Sequence, residues 1–365
     1  MISHSPGVEA VGDLLSCLSP YKHIYALIDK QLMEKSPFVM SVCQALQQQN
    51  IPVNTVEASE QLKTLETVMS ICSWLLEKGA DRDALIFAVG GGITTDMAGF
   101  AASIYKRGVR FAYMPTTLLS QVDASIGGKT GVNFEQYKNI LGVIRQPEFT
   151  FITPQVLASL PYRDFLSGAA ELLKTFIIED NGNYDKAIDL LSKISSAGQD
   201  AWIRTATENV EVLAELISAA AAVKAGVVSR DQFEKGERRK LNLGHTFAHA
   251  IETLAHRSEQ QALMPTGITH GEAVAIGMAL AAKLAEALTK DARFEAEHGL
   301  ADRIINDMKN CGLPVECPFQ ITDMAQAMKK DKKAEGSKVH FVLPRAIGDV
   351  VTVSLSVDEV VDLMK

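Results

Sequence analysis

No two cysteines in the sequence are spaced C-x-x-C, and the five present (Cys17, Cys43, Cys72, Cys311 and Cys317) are an odd count for a disulfide framework. Free thiols in a reducing compartment are the expectation. The sequence holds no H-E-x-x-H, which disfavours a zinc protease, and neither a Walker A loop nor a G-x-G-x-x-G fingerprint. Positive charge is not in surplus. The 36 Lys and Arg against 44 Asp and Glu leave a net charge of -8, the wrong sign for a nucleic-acid footprint. The opening stretch MISHSPGVEAVGDLL lacks the basic start and long apolar core of a signal peptide. The Ala-rich stretch Ala273–Leu288 is broken by Lys283 and Glu286, too short and too charged for a span of ~20 apolar residues. A cytoplasmic protein is expected, with neither a nucleic acid nor a membrane as partner.

What is present is ordinary globular material: 365 residues, 47% of them hydrophobic, enough for about two domains. Short apolar runs alternate with helical patterns in the first part. Ile24–Ile28, Val53–Val56, Ala84–Val89 and Phe111–Met114 read as strands. Val39–Gln49, Leu62–Lys78 and Asp96–Tyr105 read as helices. That alternation predicts an α/β domain, Rossmann-like, with a doubly wound parallel sheet over residues 1–155. Ligands of such sheets bind at the carboxyl ends of the strands. From residue 156 onward long Ala/Leu/Glu/Lys segments predict a mostly helical second domain: Arg163–Ile178, Ala201–Val228, Leu241–Ala255, Gly271–Leu288 and Leu300–Asn310. A strand pair, Lys338–Leu343 and Val350–Ser354, and a last helix, Val357–Met364, close the chain. Arg257–Thr269, polar and containing Pro265 and Gly267, reads as a loop.

Three features carry chemistry. Gly90-Gly91-Gly92-Ile93-Thr94-Thr95-Asp96 sits where a strand gives way to a helix. Glycines there admit a ligand close to the backbone, and a helix N-terminus offers N–H groups to a phosphate. The same residues also serve as a tight strand–helix turn with Asp96 near the cap. Thr116 and Thr117 follow the next strand, and Ser125–Asn133 forms a second Gly-rich loop carrying Lys129. The third feature is a set of histidines. His245 and His249 are four apart on one helical face, His270 opens another helix, and Glu171 and Lys174 are three apart on a third. Two His and a carboxylate are a familiar catalytic-metal set with a position left open. Single packed or solvated histidines would leave the same trace. The Lys-Arg clusters Lys235–Lys240 and Lys329–Lys333 suit either a solvated face or a small anion.

Taken in order, the residues resemble a known family. Gly90-Gly91-Gly92, Asp96-Met97-Ala98-Gly99-Phe100, Tyr105-Lys106-Arg107-Gly108-Val109, Pro115-Thr116-Thr117-Leu118-Leu119 and Gln121-Val122-Asp123 come first. Gly127–Asn133, Lys138-Asn139, Ala170-Glu171, Asn242-Leu243-Gly244-His245-Thr246, His270–Val274 and Asp331-Lys332-Lys333 follow. Together they resemble 3-dehydroquinate synthase, a sugar phosphate cyclase, from about Ile24 to the C-terminus. The resemblance implies NAD on the first domain and a zinc or cobalt ion on the second, held by Glu171, His245 and His270. It implies NAD contacts at Asp29, Glu60, Lys63, Gly91, Gly92, Ile93, Thr94, Thr95, Asp96, Thr116, Thr117, Lys129, Lys138, Val156, Leu157, Ala158 and Ser159. Substrate contacts fall on Asp123, Lys129, Asn139, Lys174, Lys224, Arg238, Asn242, His249 and Lys332. Arg107 matches a residue that enters the neighbouring subunit's site, which implies a homodimer.

The implied substrate is a seven-carbon keto-acid phosphate, 3-deoxy-D-arabino-heptulosonate 7-phosphate. The implied products are 3-dehydroquinate and phosphate, on the route to aromatic amino acids. Lys129, Asn139, Arg238 and Lys332 would clamp the phosphate. Lys224 and Asn242 would fix the carboxylate or hydroxyls, and His249 would move a proton or stand as a packed histidine. Asp123 would bond substrate hydroxyls, hold a water or lysine, or cap the Gly-rich loop. Two departures stand out. Thr95 replaces the family's usual Gly before the aspartate, where it would either crowd the pyrophosphate or offer a hydroxyl. The stretch before His270 is longer than usual. The competing readings are a sibling cyclase without a carboxylate on its substrate, an iron- or glycerol-type alcohol dehydrogenase, and a non-catalytic cofactor-binding paralogue. Lys224, Arg238 and Asn242 together favour the keto acid, and no ligand or lysine is missing.

Overall fold

The computed structural model describes residues 2–4, 9–135, 137–255, 267–331 and 338–365. The chain folds as two compact units, Met1–Pro161 with Ala206–Ala225, and Tyr162–Thr205 with Gly226–Lys365. A single cut after residue 155 therefore misses an excursion. The first part of the helix Val210–Arg230 belongs to the first unit, and Lys224 with it. The sequence pattern shows no such return, because a helix of the second domain and a helix packed on the first share the same 3.6-residue period.

In the first unit six strands form one sheet: β1 (Ile2–His4), β2 (Ile24–Asp29), β3 (Val53–Val56), β4 (Leu85–Gly90), β5 (Arg110–Pro115) and a later strand, Thr150–Ile152. Their order is β1, Thr150–Ile152, β5, β4, β2, β3, with every pairing parallel. Alternate residues of β2, β4 and β5 (Tyr25 and Leu27, Ile86 and Ala88, Phe111 and Tyr113) join a core with Val68, Ile71 and Leu75 of the helix Leu65–Glu77. The intervening Ala26, Ile28, Phe87, Val89, Ala112 and Met114 are equally buried. Burial on both faces explains why these strands read as continuous apolar runs rather than alternating ones. Each of the larger apolar side chains among them, such as Leu27, Ile86 and Phe87, contributes roughly 1.5–3 kcal/mol. The chain runs outward from β2 to β3 on one side and from β4 to β5 on the other. The ends of β2 and β4 thus flank the switch point where ligands of doubly wound sheets sit. Asp29 ends β2 and Gly90 ends β4.

Several sequence boundaries move. The helix expected from Asp96 starts at Gly92 and runs to Ile104, so Thr94, Thr95 and Asp96 lie in its first turns. The second Gly-rich loop is in part a hairpin, β6 (Lys129–Phe134) against β7 (Tyr137–Ile144). There Gly131 and Gly142 face each other so closely that a Cβ on Gly131 would lie 2.5 Å from the Leu141 carbonyl oxygen. A short π-helical turn, Ser120–Ala124, precedes it.

In the second unit the helix His270–Lys290 packs against the helices Tyr162–Ile178, His245–Ala255, Leu300–Asn310 and Val357–Met364. Its Ala- and Gly-rich sequence allows this: a Cβ on Gly277 would lie 2.2 Å from the Gly244 carbonyl oxygen. The expected helix Leu241–Ala255 is interrupted, because Gly244 takes φ +77° and the helix begins at His245. The helices Tyr184–Ala197 and Ile321–Asp331 are additional to the expected ones, although the buried Tyr184, Ala187, Leu190, Leu191 and Ile194 of the first keep helical spacing. The strand pair is present as Lys338–Ala346 and Asp349–Ser356. The expected loop Arg257–Thr269 lies outside the described residues except for its last three, and Lys332 lies outside them too. Among the described residues one helix, Val210–Arg230, is long and apolar enough to cross a membrane. Its Leu213, Leu216, Ile217, Ala220 and Ala221 are buried and its Lys224 is ion-paired, as in a core helix.

Candidate functional site

Glu171, His245 and His270 each present a ligand atom, all within 4.8 Å of one another. Three helices deliver them. Glu171 lies mid-helix in Tyr162–Ile178 and is fully buried, while both histidines are the first residues of theirs. Glu171 Oε1 is 3.4 Å from His270 Nε2 and 3.8 Å from His245 Nε2. Each imidazole is engaged at its other nitrogen: His245 Nδ1 lies 3.2 Å from the Leu243 carbonyl, His270 Nδ1 3.3 Å from Glu252 Oε1. Outer partners of this kind turn the free nitrogens inward, as metal-binding histidines require. Lys174, one turn along from Glu171, is buried and ion-paired with it. Burial and the nearby Lys174 charge hold His245 well below the usual imidazole range. Burial pulls His270 the same way, but hydrogen bonds to Glu171 and Glu252 outweigh it and raise that ring. Two imidazole nitrogens and a carboxylate at this spacing are a donor set that fits a divalent ion such as zinc or cobalt.

The helices bearing these residues are pinned to one another. Thr269 and Glu272 form a capping box at the start of the His270 helix. The Glu272 carboxylate is also gripped at both oxygens by Arg163, at 2.7 Å each, from the helix of Glu171. The Gly271 N–H donates to Ser167 Oγ at 3.0 Å, and a Cβ on Gly271 would lie 2.0 Å from the Ser167 carbonyl oxygen. Sequence reasoning assigned no role to Arg163, Ser167 or Glu252. Glu252 carries the only usable signal, standing seven residues after His245 and so two turns along on the same face.

Elsewhere in this unit Asp231 organises the Lys235–Lys240 cluster. Its carboxylate accepts from the backbone N–H groups of Lys235, Gly236 and Arg238, which keep it below the usual carboxylate range. Arg238 is buried, with Nη1 donating to the Gln232 carbonyl at 2.6 Å. Asn242 Nδ2 donates to Glu234 Oε1 at 2.7 Å, a partner the sequence did not single out. The His249 ring lies 5.7 Å from that of His245, edge to face.

In the first unit the glycine loop has the form of a phosphate cradle. Gly91 caps the helix Gly92–Ile104 without any side-chain cap bond. A Cβ on Gly90 would lie 2.4 Å from Thr94 Oγ1, and Cβ atoms on Gly91 and Gly92 would sit 3.2 Å from Thr117 and Ala124. The hydroxyls of Thr94 and Thr116 are buried with no hydrogen-bond partner. A backbone-lined cradle with orphaned hydroxyls beside a helix N-terminus fits a nucleotide phosphate. Thr95 is buried, and its Oγ1 donates to the Gly92 carbonyl at 3.0 Å within the helix. Thr117 Oγ1 donates to Ser120 Oγ at 2.8 Å.

Lys63 is buried and donates to Asp96 Oδ2 and to Asn139 Oδ1, each at 2.5 Å. Burial raises Asp96 to about 6 even against the Lys63 charge. Asn139, read as a phosphate ligand, is thus a partner of Lys63, and its backbone is left-handed at φ 54°. Asp123 Oδ1 pairs with Lys224 Nζ at 2.6 Å, and Lys224 also donates to the Asp123 carbonyl at 2.8 Å. Of the roles open to Asp123, holding a lysine is the one the geometry displays. Asp29 caps the following helix through Gln31 N–H, with burial raising its pKa. Glu60 Oε1 accepts from Asn133 Nδ2 at 2.8 Å. Lys129, Lys138 and Ala158 are exposed, whereas Val156 and Leu157 are buried and Ser159 donates to the Val156 carbonyl. Arg107 is exposed in a turn of positive φ, with Lys106 at 48° and Arg107 at 68°.

Family profiles described as 3-dehydroquinate synthase N-terminal and C-terminal match residues 53–167 and 168–334. The chain is 39% identical over 330 residues to a 3-dehydroquinate synthase of Picosynechococcus sp., covering 89% of this chain and 84% of that protein. It is 35% identical over 359 residues to the Synechocystis sp. enzyme of the same name, covering 97% and 93%. Among solved structures it resembles a 2-epi-5-epi-valiolone synthase from Streptomyces hygroscopicus with NAD+ and Zn2+ bound, with TM-score 0.81 and 28% identity over 100% of this chain and 95% of that one. An iron-containing alcohol dehydrogenase from Thermotoga maritima shares the fold at TM-score 0.63 and 13% identity, covering 100% and 96%.

Proposed function

The chain belongs to the 3-dehydroquinate synthase family, and from that premise we propose that it converts 3-deoxy-D-arabino-heptulosonate 7-phosphate into 3-dehydroquinate and phosphate. The observation that carries the reading is the match of both halves of the family, over residues 53–334, to a chain whose Glu171, His245 and His270 converge. The enzyme is a phosphate-eliminating lyase.

Glu171, His245 and His270 would hold a zinc or cobalt ion, and the Gly91–Asp96 loop with Thr116 and Thr117 would hold NAD. When bound, the ion supplies Lewis acidity at the substrate hydroxyls and NAD a reversible hydride acceptor, so no net redox change remains. The chain's own residues do the rest. Lys129, Arg238 and Lys332 bind the phosphate and stabilise it as it leaves. Lys63, held by Asp96 and Asn139, sets a fixed positive charge beside the glycine loop. Lys224, oriented by Asp123, and Asn242, oriented by Glu234, bind the substrate's carboxylate and hydroxyls. Lys174, ion-paired with Glu171, holds that carboxylate in place. His249 moves a proton near the ion, since it need not ligate. The remaining residues matched to the family, from Asp29, Glu60 and Lys138 to Val156–Ser159, line the nucleotide side. The working form is a cytoplasmic homodimer in which Arg107 enters the partner's site.

The test supplies purified protein, NAD and a divalent metal with either the keto-acid phosphate or a seven-carbon sugar phosphate. Phosphate release from the keto acid alone, with no accumulation of NADH, is the expected result. Release from the sugar phosphate alone would assign the chain to a sibling cyclase. Accumulating NADH would move it to the alcohol dehydrogenases.

A further inference from the structure

The two histidines of the metal set differ in what stands behind them. His245 Nδ1 faces a neutral backbone carbonyl, that of Leu243. His270 Nδ1 faces a carboxylate, Glu252 Oε1 at 3.3 Å, while its Nε2 faces Glu171 Oε1 at 3.4 Å. The ring is thus held at both nitrogens along one line, from the outer acid to the inner one. Its side chain is 36% exposed, against 14% for His245. Surrounding protein therefore restrains it less, and a specific partner matters more. The capping box, Arg163 and Ser167 fix the backbone at the start of this helix, through Glu272 and the Gly271 N–H. Glu252 engages the imidazole itself, and it comes from the helix whose first residue is His245. That helix supplies one ligand directly and holds the other by its ring.

We propose that Glu252 is a positioning residue of the metal centre, fixing His270 with its proton on Nδ1 and its lone pair on Nε2. The inference rests on the reading of Glu171, His245 and His270 as ligands. A carboxylate behind an imidazole does two things: it selects the tautomer and it raises the donor strength of the far nitrogen. Both matter more at a helix N-terminus, where the positive end of the dipole withdraws electron density from the first side chain. Loss of an outer partner of this kind costs about 10–100-fold in metal affinity.

The experiment measures Zn2+ and Co2+ affinity by chelator competition for wild type, Glu252→Gln and Glu252→Ala. Melting of the metal-free proteins reports folding. The Gln variant keeps the shape of the side chain and one acceptor oxygen while removing the charge and exchanging the other oxygen for an amide NH2. It is expected to melt like wild type, to bind both ions about 10–100-fold more weakly, and to shift the visible bands of saturating Co2+. The Ala variant should fall at the weak end of that range. Affinities within about twofold of wild type in both variants, with an unchanged Co2+ spectrum, overturn the role of Glu252. A wild-type protein that retains neither ion overturns the ligand set itself, and the role of Glu252 with it.

Discussion

The glycine loop of the first unit and the histidine cluster of the second are built from different parts of the polypeptide. The loop is nearly continuous in sequence: Gly90, Gly91, Gly92 and Thr94 follow one another, with Thr116 and Thr117 after the adjacent strand. What it offers a ligand is backbone and space. The cluster takes one residue from each of three helices, and what it offers is side-chain atoms held by further side chains. A backbone-built site tolerates a change of residue that turns away from it, as Thr95 does by bonding to the Gly92 carbonyl. A side-chain-built site inherits the tolerances of every contact between its helices. Arg163–Glu272, Ser167–Gly271 and Glu252–His270 are therefore as much part of the centre as its ligands are.

Gly271→Ala should break this comparison most severely. The added Cβ meets the backbone of Ser167 at 2.0–2.5 Å, so no flexible side chain can give way. A loss of about 3 kcal/mol or more, at the upper end of overpacking costs, is expected in urea unfolding, together with loss of metal retention. A variant with wild-type stability would mean that the helices can slide apart freely.

A smaller effect probes the loop's surroundings. Asp96 is raised by burial to about 6, above its unfolded value. A group shifted in that direction favours the folded state most when protonated, so its contribution declines as pH climbs from near 4 through about 6 and is then level. Asp96→Asn cannot titrate. Its urea midpoint relative to wild type, measured without nucleotide, should rise across that interval and plateau above it. A difference independent of pH would show that Lys63 compensates the buried charge completely.

The smallest effect is expected from Thr95→Gly. Because the hydroxyl is spent within the helix, NAD affinity measured by fluorescence titration should stay within about threefold, under 1 kcal/mol at 1.4 kcal/mol per tenfold. Stability should drop by about 1 kcal/mol, a few tenths from the poorer helix propensity of glycine and the rest from the lost burial of the Thr95 side chain. A large gain in affinity would show that Thr95 crowds the nucleotide after all.

Much of this was legible in advance. Val53–Val56, Leu300–Asn310 and Val357–Met364 have the bounds their periodicity implies. The family resemblance names Glu171, His245 and His270 together, and their ligand atoms lie within 4.8 Å of one another. Other features were hidden for definite reasons. The helix after the glycine loop starts four residues before the expected Asp96, because glycine is a poor helix former yet an acceptable cap. Gly131–Asn133 reads as loop by composition, but pairing with β7 makes it strand. Pairing is a long-range property that local propensity does not encode.

Local order along the chain decided which segments are strands and helices, that glycines follow β4, and that the right side chains for a metal exist. Those are matters of nearest-neighbour sterics and of hydrophobic period, written residue by residue. Tertiary structure alone decided that residues 206–225 return to the first unit, that Asn139 serves Lys63 and Asp123 serves Lys224, and that Glu252 stands behind His270. Those choices depend on which buried charge comes within reach of which partner. That is settled by packing between elements far apart in sequence.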